Sequence, residues 1–482
     1  MSYHGKIIAL ALSLASQVSF LFSQVTAPDS SVSLHRSDSV TKNEAVAVNE
    51  ISIIGNKVTK RHIIQREMPF REGDSIVKNE IGEKLKSARQ NLLNTSLFNF
   101  VTVDTLPAGT NRVNVLVTVA ERWYTWPVPI FEIQERNFNE WWIDKDLEKA
   151  NYGFFLNREN FRGRKEDLSF YAQFGYTEKF GLSYKVPYLT KKQKQGAGFS
   201  FSYSRNHEIS YSSVNNHQLY YKDPDKYLRQ EFSGKLHTTF RKGIHHSHYF
   251  ETRFTRALVD DTILFLTVDY FAKNLTEMNY FSLDYSFRRD YRDSKAYPLQ
   301  GHFLELEANK LGLGILNSEK LDVMNFYLTL RKYEKLSNRF YLAGGLKIKY
   351  SANTDQPYFV QKGLGWRDFV RGYEYYVIDG QRYGTAKLGL RYEIVKPHVQ
   401  KIPIPLSKFN TFHYALYFGI YGDLGYVDDH LYAGQNSLAN TMLYGYGAGI
   451  DYVTYYDVVF RIEYSMNKML EHGLFIHFNS GI

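Results

Sequence analysis

From Trp126 onward the chain repeats one pattern: apolar residues stand at every second position, in run after run. Leu168, Phe170, Ala172, Phe174 and Tyr176 alternate with Ser169, Tyr171, Gln173 and Gly175. Phe281, Leu283, Tyr285 and Phe287 alternate with Ser282, Asp284 and Ser286. Leu388, Leu390, Tyr392 and Ile394 alternate with Lys387, Gly389, Arg391 and Glu393, and Val458, Phe460, Ile462 and Tyr464 with Asp457, Arg461 and Glu463. A period of two is the period of a β-strand, whose successive side chains point to opposite faces. Each run therefore has an apolar face and a polar one, and the charges on the second point to a wet interior. We read about 16 such runs, at 127–135, 150–159, 165–176, 179–188, 196–206, 228–241, 246–258, 276–289, 299–311, 321–334, 338–351, 383–395, 411–422, 442–453, 456–466 and 472–480. An even number suits a closed antiparallel membrane barrel. A soluble sandwich would show the same alternation, but these strands are too many and too long for one small sandwich. The stretch from Tyr211 to Tyr221 reads as a further strand or as part of a long loop. The expected fold is mainly β: a 16-stranded antiparallel transmembrane β-barrel over residues 126–482, preceded by one small α/β domain.

Composition supports a membrane barrel over a helical membrane protein. No apolar run beyond the N-terminus approaches the ~20 residues a spanning helix needs, and the mean hydropathy is −0.40. Aromatics make up 16% of the chain, with 39 Tyr, the residue suited to a site with one apolar and one wet side. The net charge of +9 is spread along the sequence, without a nucleic-acid-binding module. We assign it to lumen and loop residues, with outer-membrane lipids as neighbours and no nucleic-acid partner. The absence of Cys excludes a disulfide framework, a thiolate metal site and a lipidated N-terminal Cys. Residues 1–23, with Lys6 ahead of an apolar run from Ile7 to Ala15, read as a secretory signal peptide. Residues 24–46, rich in Ser, Asp, Thr and Val, read as a linker.

Residues 47–122 read as strand, helix, helix, strand, strand. Ile51 to Ile54 is a strand closed by Gly55-Asn56. Thr59 is placed to cap a short helix over 60–67, and Arg71 to Asp74 is a turn. Ile81, Leu85, Ala88 and Leu92 stand at helical spacing over 80–93. Phe98 to Val103 and Val113 to Val119 alternate as strands.

The segment from Ser351 to Arg382 is too long for a plain turn and too aromatic for a disordered linker. It contains Gly365-Trp366-Arg367-Asp368-Phe369-Val370-Arg371-Gly372-Tyr373. We expect it to fold into the barrel with Arg371 as its anchor, since a guanidinium can grip a carboxylate with a rigid fork. Val370-Arg371-Gly372-Tyr373 resembles the sixth-loop signature of the BamA/TamA family of outer-membrane assembly barrels. Tyr421-Gly422-Asp423-Leu424-Gly425 is similar to that family's F-x-D-x-G motif, with Tyr for Phe. Asn160-Phe161-Arg162-Gly163 and Tyr297-Pro298-Leu299-Gln300-Gly301 resemble two further family turns. Ile53-x-Gly55-Asn56, Arg66-Glu67, Gly73-Asp74, Leu97-Phe98 and Val119-Ala120-Glu121-Arg122 resemble a POTRA domain, in one copy. The resemblance spans about residues 48–482. It implies that Arg371 meets Asp423, that Gly372 lets the backbone turn against the wall, and that Tyr373 packs beside it. It implies an outer-membrane location with the N-terminal domain in the periplasm.

Two more features bear on function. Pro127 and Pro129 thin the hydrogen-bonding ladder of the first strand. The last strand, with Gly473, Ile476 and Phe478, is similar to a C-terminal β-signal, although it ends four residues short of Ile482. A seam between these strands would open sideways. The edge of the small domain, at Phe98, Phe100, Val101 and Val103, would add an extended client as a further strand. The expected function is insertion or translocation of unfolded outer-membrane or secreted polypeptides, without cofactor or nucleotide and with room for accessory lipoproteins. The alternatives are a passive porin-like barrel or surface antigen, and a single-client secretion transporter. His245, His246 and His248 lack a partnered acid motif and no Gly-x-Ser-x-Gly is present, so we assign no catalytic and no metal residues.

Overall fold

The structure is a computed structural model that describes residues 44–133, 150–190, 192–271, 274–316, 321–401, 403, 411–454 and 457–478. The expected signal peptide at 1–23 and all but the end of the linker lie outside the described residues.

The N-terminal domain is built from β1 (Ala45–Ile54), α1 (Arg61–Gln65), β2 (Ser75–Val77), α2 (Ile81–Leu93), β3 (Phe98–Pro107) and β4 (Arg112–Glu121). Its sheet runs β2-β1-β4-β3, with β1 parallel to β4. The short β2 is absent from the sequence reading; it pairs with the start of β1 at Ala45, ahead of the expected strand start at Ile51. Ala88 and Leu92 of α2 close the core against Ile51, Val101, Val115 and Val117, with Ile81 and Leu85 packed at its margin. Thr59 does not cap α1: the N-cap is Lys60, without a side-chain bond. The Thr59 hydroxyl is used elsewhere, meeting Tyr124 Oη at 3.1 Å and accepting from Asn160 Nδ2 at 2.9 Å.

The barrel strands are β5 (Thr125–Ile133), β6 (Ala150–Phe161), β7 (Glu166–Gly175), β8 (Thr177–Val186), β9 (Gln195–Asn206), β12 (Arg229–Lys242), β13 (His246–Val259), β14 (Glu277–Asp290), β15 (Gly301–Leu311), β16 (Val323–Lys335), β17 (Phe340–Ser351), β18 (Arg382–Lys401), β19 (Thr411–Asp428), β20 (Met442–Val453), β21 (Val459–Asn467) and β22 (His472–Phe478). They form one antiparallel sheet of 16 strands in sequence order. The stretch at 211–221 is a separate hairpin, β10 (Glu208–Val214) and β11 (His217–Lys222), outside the barrel sheet. Alternation sorts the faces as a bilayer requires. Leu388, Phe418, Ile420, Ile462 and Leu474 stay exposed on the outer side, while Arg391, Asp423, Asp451, Arg461 and Glu463 are buried within.

Two strands outrun their expected ends. β18 continues to Lys401 through register shifts at Glu393/Val395 and Val395/His398, around Pro397, which cannot donate to a ladder. β19 continues to Asp428 in unbroken pairing through Gly422 and Gly425, residues that weaken a strand by composition but not here. Asp423 therefore lies within a strand, opposite Lys387, rather than at a strand end.

Further structure packs on both ends of the barrel. The N-terminal domain sits across one mouth. Lys60 N donates to Gly163 O at 2.9 Å, Arg66 Nε to Gln193 O at 2.8 Å and Arg122 Nη1 to Asp457 Oδ2 at 2.8 Å. Glu67, buried, takes a two-point grip from Arg241 of β12 at 2.8 and 2.9 Å. At the other end a second apolar core joins Ile209, Leu228, Tyr270, Phe271 and Tyr358, with α3 (Thr262–Leu266) supplying Ile263. The β10–β11 hairpin folds over this end. Its turn residues Asn215 and Asn216 have φ of 52° and 63°, the left-handed conformation a tight hairpin uses. Asn215 N donates to Gln435 O at 2.8 Å, and Asn216 O accepts from Val377 N at 2.8 Å.

Candidate functional site: the docked loop and the seam

The loop between β17 and β18 crosses the lumen and lies on β19 to β22. Arg371 is its buried centre. Its backbone N–H donates to Asp423 Oδ2 at 3.2 Å, and its Nε stands 3.1 Å from the same oxygen. Lys387 Nζ approaches that oxygen to 3.6 Å, so one carboxylate serves two cations. The expected two-point fork is absent. The main chain of Arg371 comes so close to the wall that its side chain folds over the Tyr421 ring, with Cζ 4.0 Å from the centroid. Such a contact adds cation–π attraction to the ion pair.

The wall beneath the loop is cut to fit it. Val370, fully buried, lies against Gly425, where a Cβ would meet Val370 Cγ2 at 2.4 Å. A Cβ on Gly445 would stand 1.8 Å from Arg371 O. Gly372 has φ 85°, and its carbonyl accepts from Asn467 Nδ2 at 2.9 Å. Tyr373 is buried and accepts from Lys468 N at 3.2 Å. A Gly445→Ala chain should therefore lose its loop seat at a cost of about 1–3 kcal/mol, the range for overpacking a close contact. Thermal unfolding in detergent would show the loss; an unchanged midpoint would mean that the loop is not seated there.

The same loop touches the last strand. Phe369 stacks on His477 with centroids 5.4 Å apart, and Tyr375 meets Phe475 at 5.5 Å. Tyr376 Oη donates to Glu471 at 2.8 Å. Gly473, Phe475 and His477 thus share the inner face of β22, and Leu474 and Phe478 the outer face, with Ile476 between them in register. β5 and β22 are the two ends of the sheet, and among the described residues no ladder joins them. Pro127 and Pro129 pair with Leu156 and Phe154 of β6, placing both prolines on an end strand.

Two family models match this chain. The POTRA model, described as surface antigen variable number repeat, matches residues 46–122. The Omp85 superfamily domain matches residues 160–455, more than half of the sequence. The chain belongs to the Omp85 superfamily. Its fold is similar to that of BamA from Haemophilus ducreyi lacking POTRA domains 1–3, with TM-score 0.50 and 14% identity over 90% of this chain and 84% of that one. It is also similar to CdiB from Escherichia coli, with TM-score 0.52 and 12% identity over 90% of this chain and 76% of that one. No curated protein sequence matches the chain. Membership of Omp85 places the protein among barrels of the bacterial outer membrane that insert or secrete polypeptides.

The remaining residues singled out in this Omp85 chain are distributed as follows. β3 is an end strand of its sheet. Phe98 and Val101 are wholly buried in the domain core, with Val103 packed against it, because a bulge between Phe98 and Phe100 turns these positions inward. Arg89 Nε already donates to Val101 O at 2.9 Å. A client strand could therefore use the backbone of β3 and the half-buried Phe100, but not the side chains of Phe98 and Val101. His245, His246 and His248 do not converge: His245 Nδ1 meets Asp290 O at 2.7 Å, His246 packs by Phe287 and His248 Nδ1 meets Tyr285 Oη at 3.0 Å. Lys387, Glu374, Glu463 and His477 were missed as site residues. Lys387 was legible as an inward charge in the β18 alternation; the others meet only through the fold.

Proposed function

We propose that the protein inserts polypeptides sideways into the outer membrane through the seam between β5 and β22, with its N-terminal domain in the periplasm receiving them. One observation carries this reading. The N-terminal domain packs on the turns at one end of the barrel and the loop core on the other, whereas the end strands of the sheet share no ladder among the described residues. Unpaired N–H and C=O groups within hydrocarbon cost several kcal/mol each, so such an edge favours the strand that completes it. A client strand adding to β22 or β5 satisfies those groups, and its own folding free energy drives the step without nucleotide or cofactor. The two prolines on β5 keep that side from pairing fully and favour reopening. The β3 edge presents extended segments by the same backbone chemistry.

The chain has no Cys, so one cysteine placed on β5 and one on β22 form the only possible disulfide. Oxidation should stop insertion of other barrels and reduction should restore it. Full activity in the cross-linked state would overturn lateral insertion. Depletion of the protein, followed by a census of outer-membrane barrels, separates the alternatives. A general loss supports insertion, loss of one secreted protein a single-client transporter, and no change a passive barrel.

A further inference from the structure

Glu374 of the docked loop, Glu463 of β21 and His477 of β22 bring one ligand atom each to within 4.8 Å of one another. We propose that these three side chains bind a divalent transition-metal ion, zinc fitting best, which ties the loop to the seam strand. His477 Nε2 stands 3.3 Å from Glu463 Oε1 and 3.7 Å from Glu374 Oε1. Ligands about 2.0–2.1 Å from a tetrahedral zinc ion lie about 3.4 Å apart, so both separations suit a shared ion. The 3.3 Å contact is an ion-pair distance without good hydrogen-bond geometry, and among the described residues Glu463 Oε2 has no hydrogen-bond partner, although Glu463 is 1% exposed. Glu463 Oε1 also accepts from Ser465 Oγ at 3.3 Å.

Charge and access agree. Two carboxylates and a neutral imidazole supply two negative charges, which one divalent ion neutralises. The nearby cations are engaged elsewhere: Arg371 and Lys387 with Asp423, and Arg461 with Asp451 at 2.5 and 2.8 Å. Arg461 reaches Glu463 Oε2 only at 3.9 Å. Phe369, stacked on the imidazole at 14° between planes, fixes its orientation. A lumenal cavity of about 300 Å³ bordered by Glu463 and His477 gives an ion its path. An imidazole with two carboxylates is a donor set that zinc accepts. The ligands come from three elements, so no sequence spacing announces them. The site does not depend on what the barrel transports.

The test uses the full-length protein in detergent, stripped by chelator and titrated with zinc chloride against a chromophoric chelator. We expect one equivalent per chain, and binding at least ~10-fold weaker in His477→Ala and in Glu374→Gln, a loss at the lower end of that for disturbing a metal site. Replacing His245, His246 and His248 together by Ala should leave binding unchanged. Cobalt in place of zinc should give the strong visible bands of a tetrahedral ion. Zinc should also slow hydrogen exchange over 472–478. Unboiled gel migration establishes that each variant is folded; should His477→Ala fail to fold, the cobalt spectrum of the native chain decides. No binding by the native chain, an octahedral cobalt spectrum, or unchanged affinity in a folded His477→Ala would each overturn the proposal. A cluster that merely shares a proton gives the first of these.

Discussion

Asp423→Ala should release the loop and cost the folded barrel about 3–5 kcal/mol, the range for removing one partner of a buried ion pair. Asp423 has no exposed side-chain surface and is the anion for both Arg371 and Lys387. Its removal strands two cations in a buried site and takes away the acceptor of the Arg371 backbone N–H. Arg371→Ala should cost less, because Asp423 keeps Lys387 and only the ring contact with Tyr421 and one ion pair are lost. Arg371→Lys keeps the charge but gives up the planar group over Tyr421, and should fall between Arg371→Ala and the native chain. Unfolding midpoints in detergent, with limited proteolysis at 366–376, rank these variants. If Arg371→Ala proves the more damaging, the carboxylate is not the shared partner described here.

The pair was legible from one residue pattern and one resemblance. Arg371 stood in an overlong, aromatic loop, and Asp423 was named through the resemblance of Tyr421 to Gly425 to a family motif. The period-two pattern located the sixteen strands because it survives every strand it belongs to. It failed where composition hid a continuing ladder, at Pro397 in β18 and at Gly422 and Gly425 in β19. Thr59 was misread because a helix cap and an interdomain bond ask for the same hydroxyl, and only the fold brings Asn160 to it. What could not be read at all lies at long range. Glu67 and Arg241 are 174 residues apart, and the three metal-binding candidates sit on three elements. Local pattern fixes which face a residue occupies; it does not fix which distant residue shares that face. The seam is of the same kind, since two prolines mark β5 as an end strand without saying whether β22 pairs with it.

Glu67→Ala should undock the N-terminal domain from the barrel mouth. Glu67 is 1% exposed and holds Arg241 at 2.8 and 2.9 Å, Tyr188 Oη at 3.0 Å and Arg66 Nη1 at 3.2 Å. Its loss leaves two guanidinium groups facing each other with no anion, so we expect a cost of about 3–5 kcal/mol. Removing Arg241 as well should return part of that cost, because the uncompensated charge goes with it. Hydrogen exchange at the turns 160–165 and 241–245 measures docking directly. The pH dependence follows from the same cluster. Burial alone would raise the Glu67 pKa, but Arg241, Lys165 and Arg66 outweigh it and hold the carboxyl down at about 2. A lowered pKa means stabilisation that is fully present above the unfolded value of 4.5 and is lost as pH falls towards 2. The drop from 4.5 to about 2 corresponds to about 3 kcal/mol. The Glu67 contribution to docking should therefore be constant above about pH 5 and weaken only below about pH 4, and Glu67→Gln should remove that acid sensitivity while keeping the side-chain shape. Undocking centred near neutral pH in the native chain would show that another group controls the contact.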